Sequence, residues 1–134
     1  EKLDVPLTFP GRQPTEQMPH YYSMADAMLI TLKDDPVISL TLPGKLQSYM
    51  AAGKPVIGAI NGEAKSVIEQ VKCGYCVPAC DYEKLAAVCK QFAEERGNHA
   101  VMGNNARIAY EQSYSKDKFI DSLEKNLTDM CIKD

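Results

Sequence analysis

A proline, a glycine and a lysine stand in succession at residues 43–45, inside the run LPGKLQSYMAAGKPVIG that covers residues 42–58. Pro43 suits the first turn of a helix, where its missing N–H would have no intrahelical partner. A helix that starts there turns the backbone N–H groups of Gly44, Lys45 and Leu46 outward at the positive end of its dipole. Gly44 allows a ligand to approach the backbone, and Lys45 adds a full positive charge. That combination suits an anion, a diphosphate above all. Ser48, one turn further on, is placed to hydrogen-bond a ribose hydroxyl, and Thr41 stands in the loop that leads in. Glu63, beyond the next strand, is a candidate to face a sugar, or else a first-turn acid favoured by the dipole of its own helix. The competing reading of residues 43–45 is a plain helix start with Lys45 in solvent.

The elements that must hold these residues are legible from spacing. Leu46, Tyr49 and Met50 recur at i, i+3 and i+4, one buried helical face. Gly53 fits the left-handed position after that helix, and Pro55 blocks its continuation. Lys54 stands at the far end, where a cation complements a helix C-terminus, so its expected role is structural. Residues 56–60, VIGAI, form a short buried-strand pattern. Upstream, residues 3–9 read as an extended edge segment containing Pro6, followed by a helical stretch from Thr15 past Pro19, with Tyr21, Tyr22 and Met24 as packing residues. A strand is expected over residues 27–32, a polar turn over 33–36 and a loop over 37–42.

Downstream, Asn61 is expected to cap a helix over about residues 62–72 with Val67, Ile68 and Val71 inward. A brief strand at 75–77 follows. Asp81 caps a longer helix whose expected inner face is Leu85, Ala86, Val88, Cys89 and Phe92. A helix over about 100–111 carries Met102, Ala106 and Ala109, and Ser115 caps a last one with Phe119, Ile120, Leu123 and Leu127 inward. Strands alternating with helices predict an α/β fold with a parallel sheet of about four strands and helices on both faces. Ligands in such sheets sit beyond the carboxyl ends of the strands, where residues 39–45 are expected. The count falls short of a full doubly wound fold and reads as its second half.

Composition narrows the field. The chain has 134 residues, 45% of them hydrophobic and 25% charged, enough for a single domain over residues 1–134. A net charge of −3 with scattered basic residues gives no footprint for nucleic acid. No apolar run reaches the ~20 residues of a spanning helix. Of five cysteines, three crowd into CGYCVPAC. A structural zinc site needs four ligands, commonly as two pairs, so free thiols in a reducing cytoplasm are expected rather than a metal. His20 and Asp26 read as surface and turn residues. The chain opens on Glu1 without an initiator methionine, consistent with a piece of a longer protein.

The segments MPHYYSMADAMLITL, LPGKLQSYMAAGKPVIGAI and CGYCVPACDYEKLA, in this order, resemble the C-terminal half of family 4 nucleotide-sugar glycosyltransferases, which have the two-domain GT-B architecture. MGNNARIAYEQSYSKDKFIDSLEKNL is similar to the closing helices of the same family. The resemblance covers nearly the whole chain, and its most specific element is MAAGKPVIG. The family usually carries two glutamates eight positions apart before that segment; their places here hold Leu40 and Ser48. The P-x-K-L-x-S-Y-x-A-A-G form resembles transferases of bacterial capsular and lipopolysaccharide synthesis, in which Ser48 would take the ribose contact and Lys45 would lie near the diphosphate.

The resemblance implies a Rossmann-like half of a GT-B fold, truncated at the front. It implies a donor-binding domain whose parent enzyme moves a sugar from a nucleotide diphosphate to a glycan or lipid-linked acceptor. No cofactor or metal is implied beyond that donor, and the acceptor domain and catalytic residues would lie outside this chain. Any membrane contact would be peripheral, through the N-terminal domain. The exposed edge of a half sheet makes homo-oligomerisation an expectation. Two other classes compete: a stand-alone, non-catalytic nucleotide-binding module, and a flavodoxin-like regulator, against which stands the lack of an early acidic cluster at a strand end.

Overall fold

The computed structural model describes residues 7–131. Three parallel strands lie in the order β1-β2-β3: β1 is Met28–Thr31, β2 is Val56–Ala59 and β3 is Gly74–Val77. Met28 pairs with Val56 and Thr31 with Ala59; on the other side Val56 pairs with Gly74 and Ala59 with Val77. Helices α1 (Met18–Met24), α2 (Pro36–Ser39), α3 (Gly44–Ala51), α4 (Gly62–Val71), α5 (Tyr82–Glu94), α6 (His99–Ala109) and α7 (Lys116–Cys131) fill the connections. The expected α/β architecture is present, with three strands among the described residues rather than four. Residues 3–6 of the expected first strand lie outside the described residues, and Leu7, Thr8 and Phe9 are not strand. The outer edge of β1 therefore has no partner among the described residues.

Successive strand residues alternate between faces, so Ile30, Val56, Gly58 and Cys76 share one side of the sheet and Leu29, Ile57, Ala59 and Val77 the other. On the first side α3, α4 and α6 pack together over a core of Leu46, Met50, Val56, Ile60, Val67 and Ile68. Helix α5 covers β2 and β3 on the second side. Leu46 and Met50 are fully buried, so each contributes roughly 2–3 kcal/mol by leaving water. The β2 run is buried throughout because it is central and covered on both faces.

Two close approaches set the packing. A Cβ on Gly103 would lie 2.4 Å from the carbonyl oxygen of Gly53, so α6 rests directly on the turn between α3 and β2. Gly53 itself has φ +64°, the left-handed value expected after α3. A Cβ on Gly74 would lie 1.7 Å from the Val56 carbonyl oxygen.

The structure corrects several expectations. Residues 37–42 are not simply a loop: Asp35 accepts from the N–H groups of Val37 and Ile38 and starts the short helix α2, with Pro36 in its first turn. Ala86 and Cys89 are exposed on α5, whose inner face is Leu85, Val88 and Phe92 at i, i+3 and i+7. Met24 is exposed, whereas Tyr21 and Tyr22 are half-buried, and Tyr22 meets Tyr49 edge-on at 5.7 Å. Ser115 accepts from Lys118 N–H and starts α7 as expected. Yet Phe119, Ile120, Leu123 and Leu127 of α7 are all exposed. Helical spacing creates an apolar face, but α7 packs mainly on the π-helical turn Tyr110–Tyr114 just before it, so that face has nothing among the described elements to bury against.

Candidate functional site

Three loops leave the carboxyl ends of the parallel strands, and each feeds a helix. The helix starts differ in how they are finished. Asp35 caps α2, and Asp81 caps α5 by accepting from Lys84 N–H at 3.0 Å. Lys84 also pairs with the Asp81 carboxylate, and these contacts hold that carboxyl below its ordinary range. By contrast, α3 and α4 begin with a glycine at the first helical position and have no side-chain cap. Uncapped N–H groups at a helix start are unmet donors and carry the positive end of the dipole.

At the start of α3, Leu29, Leu32, Pro43, Gly44 and Lys45 line a cavity of about 350 Å³. The N–H groups of Gly44 and Lys45 have no hydrogen-bond partner among the described residues. A Cβ on Gly44 would meet nothing within 4 Å, so the space over this turn is open. Leu46 departs from expectation: its N–H donates to the Pro43 carbonyl at 2.9 Å and its side chain belongs to the core. The anion-facing donors thus reduce to two amides and the exposed Lys45 ammonium.

Ser48 lies one turn on, with its hydroxyl donating to the Gly44 carbonyl at 3.1 Å. It opens into a second cavity, of about 480 Å³, between α1 and α3, with Thr15, Met18, Tyr22 and Ser23. Lys45 and Ser48 therefore border two separate cavities from one helix, about 4.5 Å apart in rise, just under one turn. Thr41 is exposed, and its hydroxyl donates to the Ile38 carbonyl at 2.8 Å, finishing α2. Glu63 sits in the exposed first turn of α4, within electrostatic reach of Tyr114, whose hydroxyl is pushed up by burial and then by that carboxylate. It lines neither cavity.

Asn61 occupies the position before α4 but does not cap it. Its Nδ2 donates to Asp34 Oδ1 at 2.8 Å and its Oδ1 accepts from Ala79 N–H at 3.2 Å. Sequence reasoning placed the residue correctly and missed its partners, 27 and 18 residues away. Lys54 is structural as expected, but for a different helix end: its ammonium donates to the carbonyls of Ser23, in the last turn of α1, and Ala25, just after it. Arg107 of α6 supplies the cation for the end of α3, donating to the Ala51 carbonyl.

The cysteines do not converge on an ion site. Cys73 is buried and Cys76 half-buried, while Cys80, Cys89 and Cys131 are exposed. Burial pushes the Cys73 thiol up to about 11 and the Cys76 thiol up to about 12. No group of three or more His, Cys, Asp or Glu side chains among the described residues is arranged to hold a metal. No helix among them is long and apolar enough to cross a membrane.

A three-stranded parallel sheet with helices on both faces defines the α/β class, a Rossmann-like half fold. Residues 2–109 match the family described as glycosyl transferases group 1, and the chain belongs to that family. Comparison with curated proteins and with solved structures gave no match.

Proposed function

We propose that this domain binds the nucleotide diphosphate-sugar donor of a family 4, GT-B-type glycosyltransferase, and that the parent enzyme delivers the sugar to a glycan or lipid-linked acceptor in cell-surface polysaccharide synthesis. The observation that carries this reading is the pair of uncapped helix starts at one end of the sheet, with Lys45 at the first of them. The diphosphate lies over Gly44 and Lys45, whose amides and ammonium neutralise it. The nucleoside enters the cavity between α1 and α3, where Ser48 meets the ribose and Tyr22 offers an aromatic wall. Glu63, at the start of α4, approaches the sugar, and Thr41 shapes the turn that receives the phosphates.

Neutralising a departing diphosphate with preorganised donors is how such a site contributes to group transfer. In this reading the acceptor and the remaining chemistry come from the partner domain, and the work is done in the cytoplasm. Homo-association through the edge of β1 that has no partner among the described residues belongs to the same reading, with sedimentation at several concentrations as its measurement.

Titration calorimetry of the 134-residue chain with UDP, GDP, ADP and their monophosphates tests the proposal. A diphosphate is expected to bind more tightly than its monophosphate. Absence of binding by all three diphosphates at millimolar concentration, in a folded sample, refutes it. The rival, a stand-alone nucleotide module, is favoured if binding is tight and no transferase activity accompanies any longer form of the protein.

A further inference from the structure

We propose that Asn61 is a positioning residue that sets the placement of the donor turn at residues 43–45; this inference rests on the anion site proposed above. The observation behind it is a side chain spent away from its own helix. An asparagine before a helix ordinarily accepts from the second or third helical N–H, a contact that stabilises the helix start. Asn61 forgoes this, leaves the start of α4 open, and bonds across the rim of the sheet instead.

The three loops at the strand ends meet on this one amide. Asp34 follows β1, Asn61 follows β2 and Ala79 follows β3. The chemistry of the partners fixes the orientation of the amide: a carboxylate can only accept and a backbone N–H can only donate. Aspartate at 61 would satisfy Ala79 and repel Asp34. Alanine would satisfy neither.

From Asp34 the tie continues toward the donor turn. Asp35 caps α2, Ser39 Oγ donates to the Asp35 carbonyl at 3.0 Å, and Thr41 Oγ1 closes on Ile38. The far end of this unit rests on the residue after Asn61. Gly62 has φ +71°, and a Cβ there would lie 2.0 Å from the Ser39 carbonyl oxygen. The stretch from Asp34 to Ser39 is therefore held at one end by the Asn61 amide and at the other by contact with Gly62. Pro43, Gly44 and Lys45 follow four to six residues after Ser39, so the position of their donors depends on this clamp.

The test reverses the polarity of the Asn61–Asp34 bond. In Asn61→Asp combined with Asp34→Asn, residue 34 donates, residue 61 accepts, and the Ala79 contact survives. We expect Asn61→Asp to weaken UDP binding by about tenfold, in line with the cost of small displacements at a preorganised site. It should also shift the Gly44 and Lys45 amide resonances in a ¹H–¹⁵N spectrum. The reversed pair should return affinity to within about threefold and restore both resonances. A merely structural role would lower stability in the single variant while leaving UDP affinity and those two resonances in place, and that result overturns the proposal. Failure of the reversed pair to restore them also overturns it. If Asn61→Asp does not fold, Asp34→Ala, which removes the acceptor of Asn61 Nδ2, takes its place against the parent, and unchanged UDP affinity with unchanged Gly44 and Lys45 resonances overturns the proposal. If the parent binds none of UDP, GDP and ADP, the donor reading fails, while the resonances still decide whether Asn61 places the turn; if it binds another of the three, that diphosphate replaces UDP in the comparison.

Discussion

The ammonium of Lys54 lies 2.8 Å from the carbonyl oxygen of Ala25 and 3.0 Å from that of Ser23, so the turn after α3 is bolted to the end of α1. Those two carbonyls close a helix whose last groups have no partner further along the chain. A cation there also complements the negative end of the α1 dipole. Lys54→Met keeps the apolar stem and removes the donor. We expect a loss of about 1–3 kcal/mol, the range for charge-assisted hydrogen bonds that leave carbonyls unpaired. Urea unfolding measures it; an unchanged midpoint would show that solvent serves those carbonyls equally well.

Gly103 and Gly53 offer a sharper steric test. Gly103→Ala places a methyl 2.4 Å from a backbone oxygen, and neither α6 nor the α3–β2 turn can yield without moving core residues. The expected cost is about 1–3 kcal/mol, as for other overpacked sites. Gly97→Ala is the matched control, because a Cβ there meets nothing within 4 Å. Equal melting temperatures for the two variants would contradict the close approach of α6.

The thiols should divide by depth. Cys80, Cys89 and Cys131 are exposed and are expected to react with a thiol reagent at pH 8 in the native protein. Cys73 and Cys76 should react only on unfolding, since burial keeps both protonated. The sign of the pH dependence follows. Both native values lie above the ordinary thiol value of 9.0, so the native state holds protons that the unfolded state releases. Their contribution is complete below pH 9 and is lost as pH rises toward 11–12. Stability that rises between pH 9 and 11 in the parent, but not in Cys73→Ala, would reverse this assignment.

How much of this was readable beforehand depended on the range of the interactions. The α3 segment was legible because its signals are local: Leu46 and Met50 on one face, Gly53 after the end, and Pro43 at the start, although Pro43 is the extended residue just before the helix and not part of its first turn as expected. The start of α2 was present as Asp35-Pro36, but the same pair also marks a turn, and only the hydrogen bonds to Val37 and Ile38 separate the two. Asn61, Lys54 and Arg107 find partners 18 to 56 residues away, and no spacing rule reaches that far. The apolar stripe of α7 was correctly seen as a stripe, yet periodicity names a face without naming what meets it. At the site, the lysine and glycine of the turn were legible; the withdrawal of Leu46 N–H into its bond with Pro43 was not.

Lys45 and Ser48 should separate when the ligand is divided into its parts. Both lie on α3, but Lys45 borders the cavity at the helix start and Ser48 the cavity beside α1. On the proposed reading the first meets the diphosphate and the second the ribose. Lys45→Ala should therefore weaken UDP and inorganic pyrophosphate alike, by roughly 10- to 100-fold for a lost charge-assisted contact of about 1.5–3 kcal/mol. Ser48→Ala should weaken UDP by roughly 2- to 10-fold, as for a neutral hydrogen bond of about 0.5–1.5 kcal/mol, and leave pyrophosphate unchanged. Salt adds a second axis, since screening acts on the exposed lysine contact and little on the hydroxyl. Raising ionic strength should shrink the Lys45 effect and leave the Ser48 effect nearly constant. If Lys45→Ala binds both ligands as the parent does, the helix that begins at Gly44 is a packing element, and the donor phosphates must be held elsewhere.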